Sequence, residues 1–553
     1  MRHRRGNDRT DPMTLLDHVR RPAVLAGLLA GVLGLVWTLW FAHDAGDLAA
    51  QYAWTSFVRE HPWSAYNMSW YGGMHPASYS VISPYLMAWL GVRTTGVLAC
   101  TAGAALGGLA LTRFGVRRPL LPSVWLAIAV WANLAAGRVT YLLGMVFALM
   151  AALLAPPRSG PRPDRPVLAA ALGALATLCS PVAGLFIEVL AAALFLVGRR
   201  RRAYLLAAGP PVVIAATSLL FPFSGVQPFP WYAALATVAA AVAVGVLTPP
   251  AWRTVRAGAW VYAVGVALCW ALPTPIGSNV ERLALLVGAL ILFCAAPARR
   301  TRRATVTYLA AAALAVWTMV QPVSDVIHTS RVTDRTAADA RPLITELLRL
   351  DAQRSRVEVV PLRTHWEASV VAPYIALARG WNRQADVERN PLFYDDTLTP
   401  DSYRAWLTNW SVAYVVLPAM EPDSSGIAEA QIITAGQPWL PLVWQDADWR
   451  VYRVEGADPL VSAPATVVSA GPAALTVHMP QAGSALVRVA WSPWLAIDGA
   501  ADDSVPRACL ARSGEWTELS APTAGTYTIE ARYALSRGTP CGITRHDPDT
   551  PPR

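Results

Sequence analysis

The stretch AVLAGLLAGVLGLVWTLWFAHDAGD, residues 23–47, decides how this chain is read. Residues 23–42 are apolar, and a helix needs about 20 residues to cross the hydrocarbon core of a bilayer. His43-Asp44-Ala45-Gly46-Asp47 follows at once, so two carboxylates sit at the membrane edge and open a long loop, 43–94. That placement points to an active site facing away from the cytoplasm, which an apolar-tailed substrate reaches only from within the membrane plane. The arginine-rich segment 1–22 reads as a cytoplasmic tail. No small-residue cleavage site follows the apolar run, so the first span is expected to be retained.

Composition extends this reading to the N-terminal half. The chain has 553 residues, 54% of them hydrophobic and 15% charged, where a soluble protein carries about 25% charged residues. The formal charge is +10, and every basic side chain except histidine is arginine. Further apolar runs lie at about 95–112, 119–136, 139–156, 167–181, 183–198, 204–221, 231–248, 257–273, 283–297 and 305–320. Arg113, Arg117 and Arg118 follow the second run, and Arg158, Arg162 and Arg165 the fourth. The cluster Arg199 to Arg202 follows the sixth. Arg253 and Arg256 follow the eighth, and Arg299, Arg300, Arg302 and Arg303 the tenth. Loops between the other ends are nearly free of arginine. The positive-inside rule makes the rich side cytoplasmic, provided that Ala77–Gly91, which Pro84 interrupts, is re-entrant or interfacial. Eleven crossings result, with a cytoplasmic N-terminus and an external C-terminus. Arginines spread over short loops in this way serve topology, and nucleic-acid binding is not expected.

The polypeptide changes character after residue 320. A helix over about 325–355 and strands at 357–360 and 413–417 suggest an extracytoplasmic α/β domain, 321–458. Short alternating runs at 474–479, 485–490 and 527–533, punctuated by Gly and Pro, suggest a small β-sandwich, 459–545, before a polar tail, 546–553. The expected fold class is therefore a mainly α-helical polytopic membrane domain, 23–320, followed by those two units. Cys100, Cys179, Cys269 and Cys294 fall in apolar runs and read as small buried residues. Cys509 and Cys541 lie in the external part, where a disulfide is allowed but spacing alone does not decide it.

Chemistry-bearing side chains concentrate on the outer side. Asp47 or Asp44 could take a proton from a sugar hydroxyl; either could also hold a divalent cation or merely cap a helix. Trp70, Tyr71 and His75 stand in an aromatic loop that ends in an unusual Gly-Gly-Met-His-Pro turn. Their flat faces suit a pyranose, although aromatic residues collect at membrane interfaces anyway. Arg282, with Asn279 one turn before it, could hold a lipid phosphate bidentately or snorkel beside Glu281. Arg138 is a second phosphate candidate. Glu188 lies within an apolar run, where a carboxyl faces a cavity or a partner. In the soluble part, Trp381 and Arg383 stand in a segment dense in Trp, Arg, Gln and Asp, as does His365-Trp366-Glu367 in another. Such segments suit a hydroxyl-rich ligand, or the packing of this domain onto the membrane part.

One span, an outer loop opening on an acid, the element Tyr71-Gly72-Gly73-Met74-His75-Pro76-Ala77-Ser78-Tyr79, many further spans and an external C-terminal region together resemble the GT-C superfamily. These are multi-pass glycosyltransferases that use polyprenyl-phosphate-linked sugars. The resemblance implies a lipid-linked sugar donor, an envelope glycan or glycolipid acceptor, and inverting transfer at the outer face of the cell membrane. It makes Asp47 the catalytic base, with Asp44 as fallback, and Arg282 a donor-phosphate contact by analogy. No Asp-x-Asp or Asp-Asp pair of the metal-binding kind is present in the loop. Two rivals stay open: a multi-pass solute or lipid-linked-sugar transporter, faintly suggested by Leu109–Arg118, and a non-catalytic scaffold that binds envelope glycan.

Overall fold

The computed structural model describes residues 21–41, 46–154, 166–297, 301–329, 336–498 and 507–541. Asp44, Arg158, Arg162, Arg165, Arg299 and Arg300 lie outside the described residues, as do both polar tails. Among the described residues, six helices are long and apolar enough to cross a membrane: Pro22–Phe41, Val92–Arg113, Arg200–Leu220, Arg253–Ala271, Gly277–Ala295 and Arg302–Asp325. Five shorter apolar helices accompany them: Leu120–Ala135, Val139–Leu154, Val167–Cys179, Pro181–Leu196 and Trp231–Leu247. Small residues let the first two helices approach closely. A Cβ on Gly27 would lie 3.1 Å from Ala105 Cβ, and one on Gly108 would lie 2.4 Å from the Pro22 carbonyl oxygen. Van der Waals packing of this kind drives helix association where lipid is already apolar.

Arginine gathers at one end of the bundle. Arg113 donates to the Leu153 carbonyl at 2.5 Å, Arg256 to Gly245 at 3.0 Å and Arg303 to Leu247 at 3.4 Å. These are carbonyls near helix C-termini that have no intrahelical partner. Asp47 and the loops that meet the soluble half lie at the other end. The segment 77–91 forms two short helices, Pro76–Tyr79 and Ser83–Leu90. The longer of them spans only about 12 Å, which is insufficient for a crossing. It is pinned instead to the end of a neighbouring helix, where Val81 N–H donates to Leu178 at 3.0 Å and Ser83 Oγ to Cys179 at 3.2 Å.

In the soluble half, β1 (Arg356–Val359) runs parallel to β2 (Val412–Pro418). Antiparallel β3 (Leu442–Gln445) and β4 (Trp449–Arg453) complete a sheet of order β1-β2-β4-β3. Of the helix expected over 325–355, the described residues show the end of the last long apolar helix, to Thr329, and Thr336–Arg349; 330–335 lie outside the described residues. Next come β5 (Thr466–Ala470), β6 (Ala474–Met479), β7 (Gly483–Ala490), β8 (Ala496–Asp498), β9 (Cys509–Ser513), β10 (Trp516–Ala521) and β11 (Gly525–Glu530). They form two sheets, β7-β10-β9 and β5-β6-β11-β8, closed over an apolar core that includes Val477, Val487, Leu510, Leu519 and Ile529. Cys509 and Cys541 are disulfide-bonded.

The loop that follows the first apolar helix is wedged between the α/β sheet unit and the sandwich. Its residues Trp70, Tyr71 and Met74 belong to the α/β core, and Ala65, Tyr66 and Met68 to the sandwich core. Ala65 N–H donates to Ala531 at 2.9 Å, Leu377 N–H to Ser69 at 2.8 Å and Ala490 N–H to Gly72 at 2.8 Å. Gly73 has φ +125°, and a Cβ there would fall 2.2 Å from the Tyr66 ring. Gly73→Ala is therefore expected to cost roughly 2–4 kcal/mol through strain and overpacking. It should lower the unfolding temperature of the soluble half in detergent while the membrane helices stay folded by circular dichroism.

His75 makes the same wedge acid-sensitive. Its Nδ1 is 2.7 Å from the Ala65 carbonyl and its Nε2 is 3.1 Å from Ser492 Oγ. Burial, with repulsion from Arg389, pulls its imidazole down to about 4. Between pH 6.5 and 4 the unfolded chain thus binds a proton that the folded one refuses. Stability is full above 6.5 and falls through this window, by up to about 3 kcal/mol. Denaturant midpoints measured across the window should drop for the parent protein and stay flatter for His75→Gln.

Candidate active site

Asp47 ends the turn after the first apolar helix, and its backbone N–H donates to the Ala136 carbonyl at 3.3 Å. Gly46 takes φ +47° against that same carbonyl, where a Cβ would lie 2.4 Å away. Any other residue at 46 would push the Asp47 turn off the 136–138 loop. One turn further on, the amide of Gln51 donates to the Gly137 carbonyl. Two loops distant in sequence are so joined, and Arg138 is brought beside Asp47.

Arg282 completes the group. It stands near the N-terminal end of Gly277–Ala295, and its Nη2 is 3.5 Å from Asp47 Oδ2. The Asp47 side chain is 36% exposed and that of Arg282 is 17% exposed, so the pair is accessible from outside the protein. The Arg282 guanidinium lies 5.6 Å from the centre of the Tyr141 ring, a placement that stabilises a cation. Arg138, enclosed by protein and repelled by Arg282, is pulled down to about 10 and so stays charged at neutral pH; Asp47 and Asp325 partly offset the repulsion. Tyr79 lies near Asp47, Thr140 and Gln51, and burial raises its phenol. Its ring stacks on Trp54 at 6.0 Å. Arg138 and Arg282 thus gather with Asp47 and Asp325, beside the phenols of Tyr79 and Tyr141, and Glu281 adjoins both arginines. This group can bind an anion, polarise a hydroxyl and accept a proton.

Asp47, Arg138 and Arg282, all singled out in the sequence, are brought together. Asn279 is half-buried, one turn before Arg282. Trp70, Tyr71 and His75 lie elsewhere, at 1%, 0% and 5% exposure. Trp70 Nε1 donates to Ala368 at 3.0 Å, and Gly380 presses on its ring, where a Cβ would lie 2.4 Å from Cγ. Tyr71 donates to the Gly380 carbonyl at 2.6 Å and accepts from Asn382 N–H at 3.1 Å. These three rings have no open face for a sugar: Trp70, Tyr71 and His75 are core residues, a correction to the stacking role. Glu188 has Oε1 buried without a hydrogen-bond partner among the described residues, and nothing links it to the Asp47 group.

Trp381 and Arg383 belong to the face of the α/β domain that meets the outer loops. Gln384, between them and the membrane part, donates to Pro275 at 3.4 Å, and its carbonyl accepts from Val226 N–H at 3.2 Å. Trp381 stacks on His365 at 3.5 Å, and Arg383 pairs with Asp423 at 2.9 Å. Arg383 holds the Asp423 carboxyl below the ordinary range despite its burial. Trp366 beside them contacts Tyr52 of the helix Leu48–Glu60, ring centres 5.3 Å apart. The two soluble segments noted in the sequence thus meet each other and roof the first outer loop.

Gln51, Tyr79, Thr140, Tyr141 and Asp325 were not read from the sequence as site residues. Tyr79 ends the quoted Tyr-Gly-Gly-Met-His-Pro-Ala-Ser-Tyr element, and Asp325 is the first acid after the last apolar run. Those were the available signals. No group of three or more metal-ligating side chains occurs among the described residues. Asp47 has arginines for neighbours, which disfavour a divalent cation at its side.

Residues 462–546 match a family described as a domain of unknown function, DUF8823. No curated protein matches the chain. Among solved structures, the chain is similar to arabinofuranosyltransferase AftD from Mycobacteria, both as an R1389S mutant and without that description. Identity is 17% and 16%, each at a TM-score of 0.44, with 79% of this chain covered. The chain spans only 42% and 40% of those two AftD chains. It is also similar to ArnT from Cupriavidus metallidurans bound to undecaprenyl phosphate: 14% identity, TM-score 0.38, 79% of this chain and 98% of that one. AftD and ArnT are both GT-C superfamily glycosyltransferases. At these TM-scores the likeness carries no weight of its own, and the reading of the site rests on its side chains.

Proposed function

We propose that this chain is a membrane glycosyltransferase that moves a sugar from a polyprenyl-phosphate donor to an envelope acceptor on the external face. The observation that carries the reading is the pairing of partly exposed Asp47 with Arg282, beside Arg138, at the arginine-poor end of an apolar helical bundle. In the same proposal all eleven apolar helices cross the bilayer, the arginine-rich ends are cytoplasmic and both soluble units are extracytoplasmic.

The chemistry follows from the charges. An arriving donor phosphate competes with Asp47 for Arg282 and releases the carboxylate. Asp47 then takes the proton of an acceptor hydroxyl. That oxygen bonds to the anomeric carbon from the side opposite the phosphate. The carbon–oxygen bond to phosphate breaks, and the lipid phosphate leaves with the electron pair. Arg282 and Arg138 stabilise its growing charge, and the configuration at carbon inverts. Trp381, Arg383, His365 and Asp423, in the roof above, are the proposed acceptor-side contacts. Asp44, which precedes Asp47 by three residues, remains the alternative base.

Asp47→Asn keeps the shape and removes the base. Transfer of labelled sugar from a polyprenyl-phosphate donor in proteoliposomes is expected to fall by about 10²–10⁴-fold, with donor binding retained. Undiminished transfer would refute the assignment. Solute uptake without chemical change would favour a transporter, and glycan binding that survives loss of the acid a scaffold. Arg282→Lys keeps the charge but not the planar fork. Donor kcat/KM should drop about tenfold, and further for Arg282→Ala; steady-state kinetics at several donor concentrations check this.

A further inference from the structure

One corner of the β-sandwich stands on the outer end of a membrane helix. Trp494 Nε1 donates to the carbonyl of Leu220, the last residue of Arg200–Leu220, at 2.6 Å. Phe221 stacks on Trp494 with ring centres 5.1 Å apart and meets Tyr533 edge-on at 5.9 Å. Tyr533 N–H donates in turn to the Trp63 carbonyl at 3.0 Å, and Tyr85 hydroxyl to Pro62 at 3.1 Å. A tight turn leads away from Tyr533 and returns at Gly538 (φ +65°), where a Cβ would lie 2.5 Å from the Pro493 carbonyl. The corner 533–538, the loop tip at 62–63 and the short helix Ser83–Leu90 are thus joined at the level where an apolar helix ends.

The side chains here are unlike those of a water-facing rim. Leu535 is 108% exposed, Trp89 81%, Leu219 77% and Trp63 74%. Single exposed apolar residues are ordinary. Leu535, Trp63 and Trp89 on one joined corner, next to the exposed helix end at Leu219, make a band. Tryptophan collects at the headgroup boundary, where its apolar body and N–H are both satisfied. Arg59 and Arg537 are exposed nearby, and the Arg537 guanidinium lies 5.7 Å from the centre of the Trp494 ring. Arg532 is occupied by Glu530 at 2.6 Å.

We infer that this corner is seated in the outer leaflet: Leu535, Trp63 and Trp89 enter the headgroup boundary, while Arg537 and Arg59 face lipid phosphate. The continuity with Leu219 and Leu220 and the basic flank favour lipid over a second copy of the chain, because anionic headgroups complement arginine. The sandwich is then a peripheral membrane module as well as an extension of the enzyme. This inference rests on the membrane reading of the helices and not on the assignment of Asp47.

The full-length protein, carrying a fluorescent unnatural side chain at position 535, 219 or 484 in separate samples, is placed in phosphatidylcholine–phosphatidylglycerol nanodiscs. Spin labels on the lipid headgroup are expected to at least halve emission at 535. Labels on the acyl chain should do so at 219, and aqueous iodide alone at 484. Emission at 535 that follows iodide as at 484 would overturn the inference. So would emission shielded from iodide yet untouched by either lipid, the pattern of a protein partner or second copy. Absence of lipid quenching at 219 would overturn the membrane reading, and the inference with it.

Discussion

The molecule depends on the burial of its first outer loop between two domains that come much later in the chain. Trp54, Trp70, Tyr71 and Met74 are core residues of the α/β unit, while Ala65, Tyr66 and Met68 are core residues of the sandwich. Each large apolar side chain so buried contributes about 1.5–3 kcal/mol relative to exposure. Neither soluble unit keeps a full core without the loop, and the loop has no order of its own without them. The same burial holds Asp47: the helix Leu48–Glu60 runs from the carboxylate to the wedge, and Gln51 ties its first turn to the 137 carbonyl.

Charge is handled differently in the two halves. In the α/β unit Arg379 is 3% exposed and is ringed by Asp386 at 2.7 Å, Glu429 at 3.2 Å and Glu358 at 3.8 Å. Such a buried group is costly to break but weak evidence of net stabilisation. Burial and the nearby acids push Glu358 up, and burial pushes Glu429 up to about 7, so the cluster carries less negative charge than its three carboxyls suggest. The Asp47–Arg282 pair is longer, partly solvated and flanked by a second arginine. That is the looser arrangement expected where an anion must enter and leave.

Much of this was legible in the sequence, for unequal reasons. The apolar runs and the arginine bias follow from the cost of exposing backbone and charge to hydrocarbon, so composition alone located the helices. Asp47, Arg138 and Arg282 were legible because a charged residue at a helix end has few explanations. Their meeting was not: Asp47 and Arg282 are 235 residues apart. The Tyr-Gly-Gly-Met-His-Pro element was visibly unusual, yet a ring buried in a core and a ring offered to a sugar have the same letters. Of the sandwich strands, β6, β7 and β11 carry clean alternation. By contrast, β5 and the three-residue β8 are too exposed or too short to register, because partner strands and not their own pattern hold them in place.

The hydrogen bond from Ser64 Oγ to Ala531 spans 467 residues, and this separation bears on how the protein is made. During synthesis the membrane helices can insert in order. In the proposed topology, however, the loop that follows Asp47 waits on the external side until almost the last strand has joined it. Until then Trp70, Tyr71 and Tyr66 lack the cores that bury them, although the Asp47 turn already has its partners at Ala136, Gly137 and Arg282. A nascent chain would therefore carry this loop unpacked. Order in the first outer loop would thus report that translation has reached its final strands.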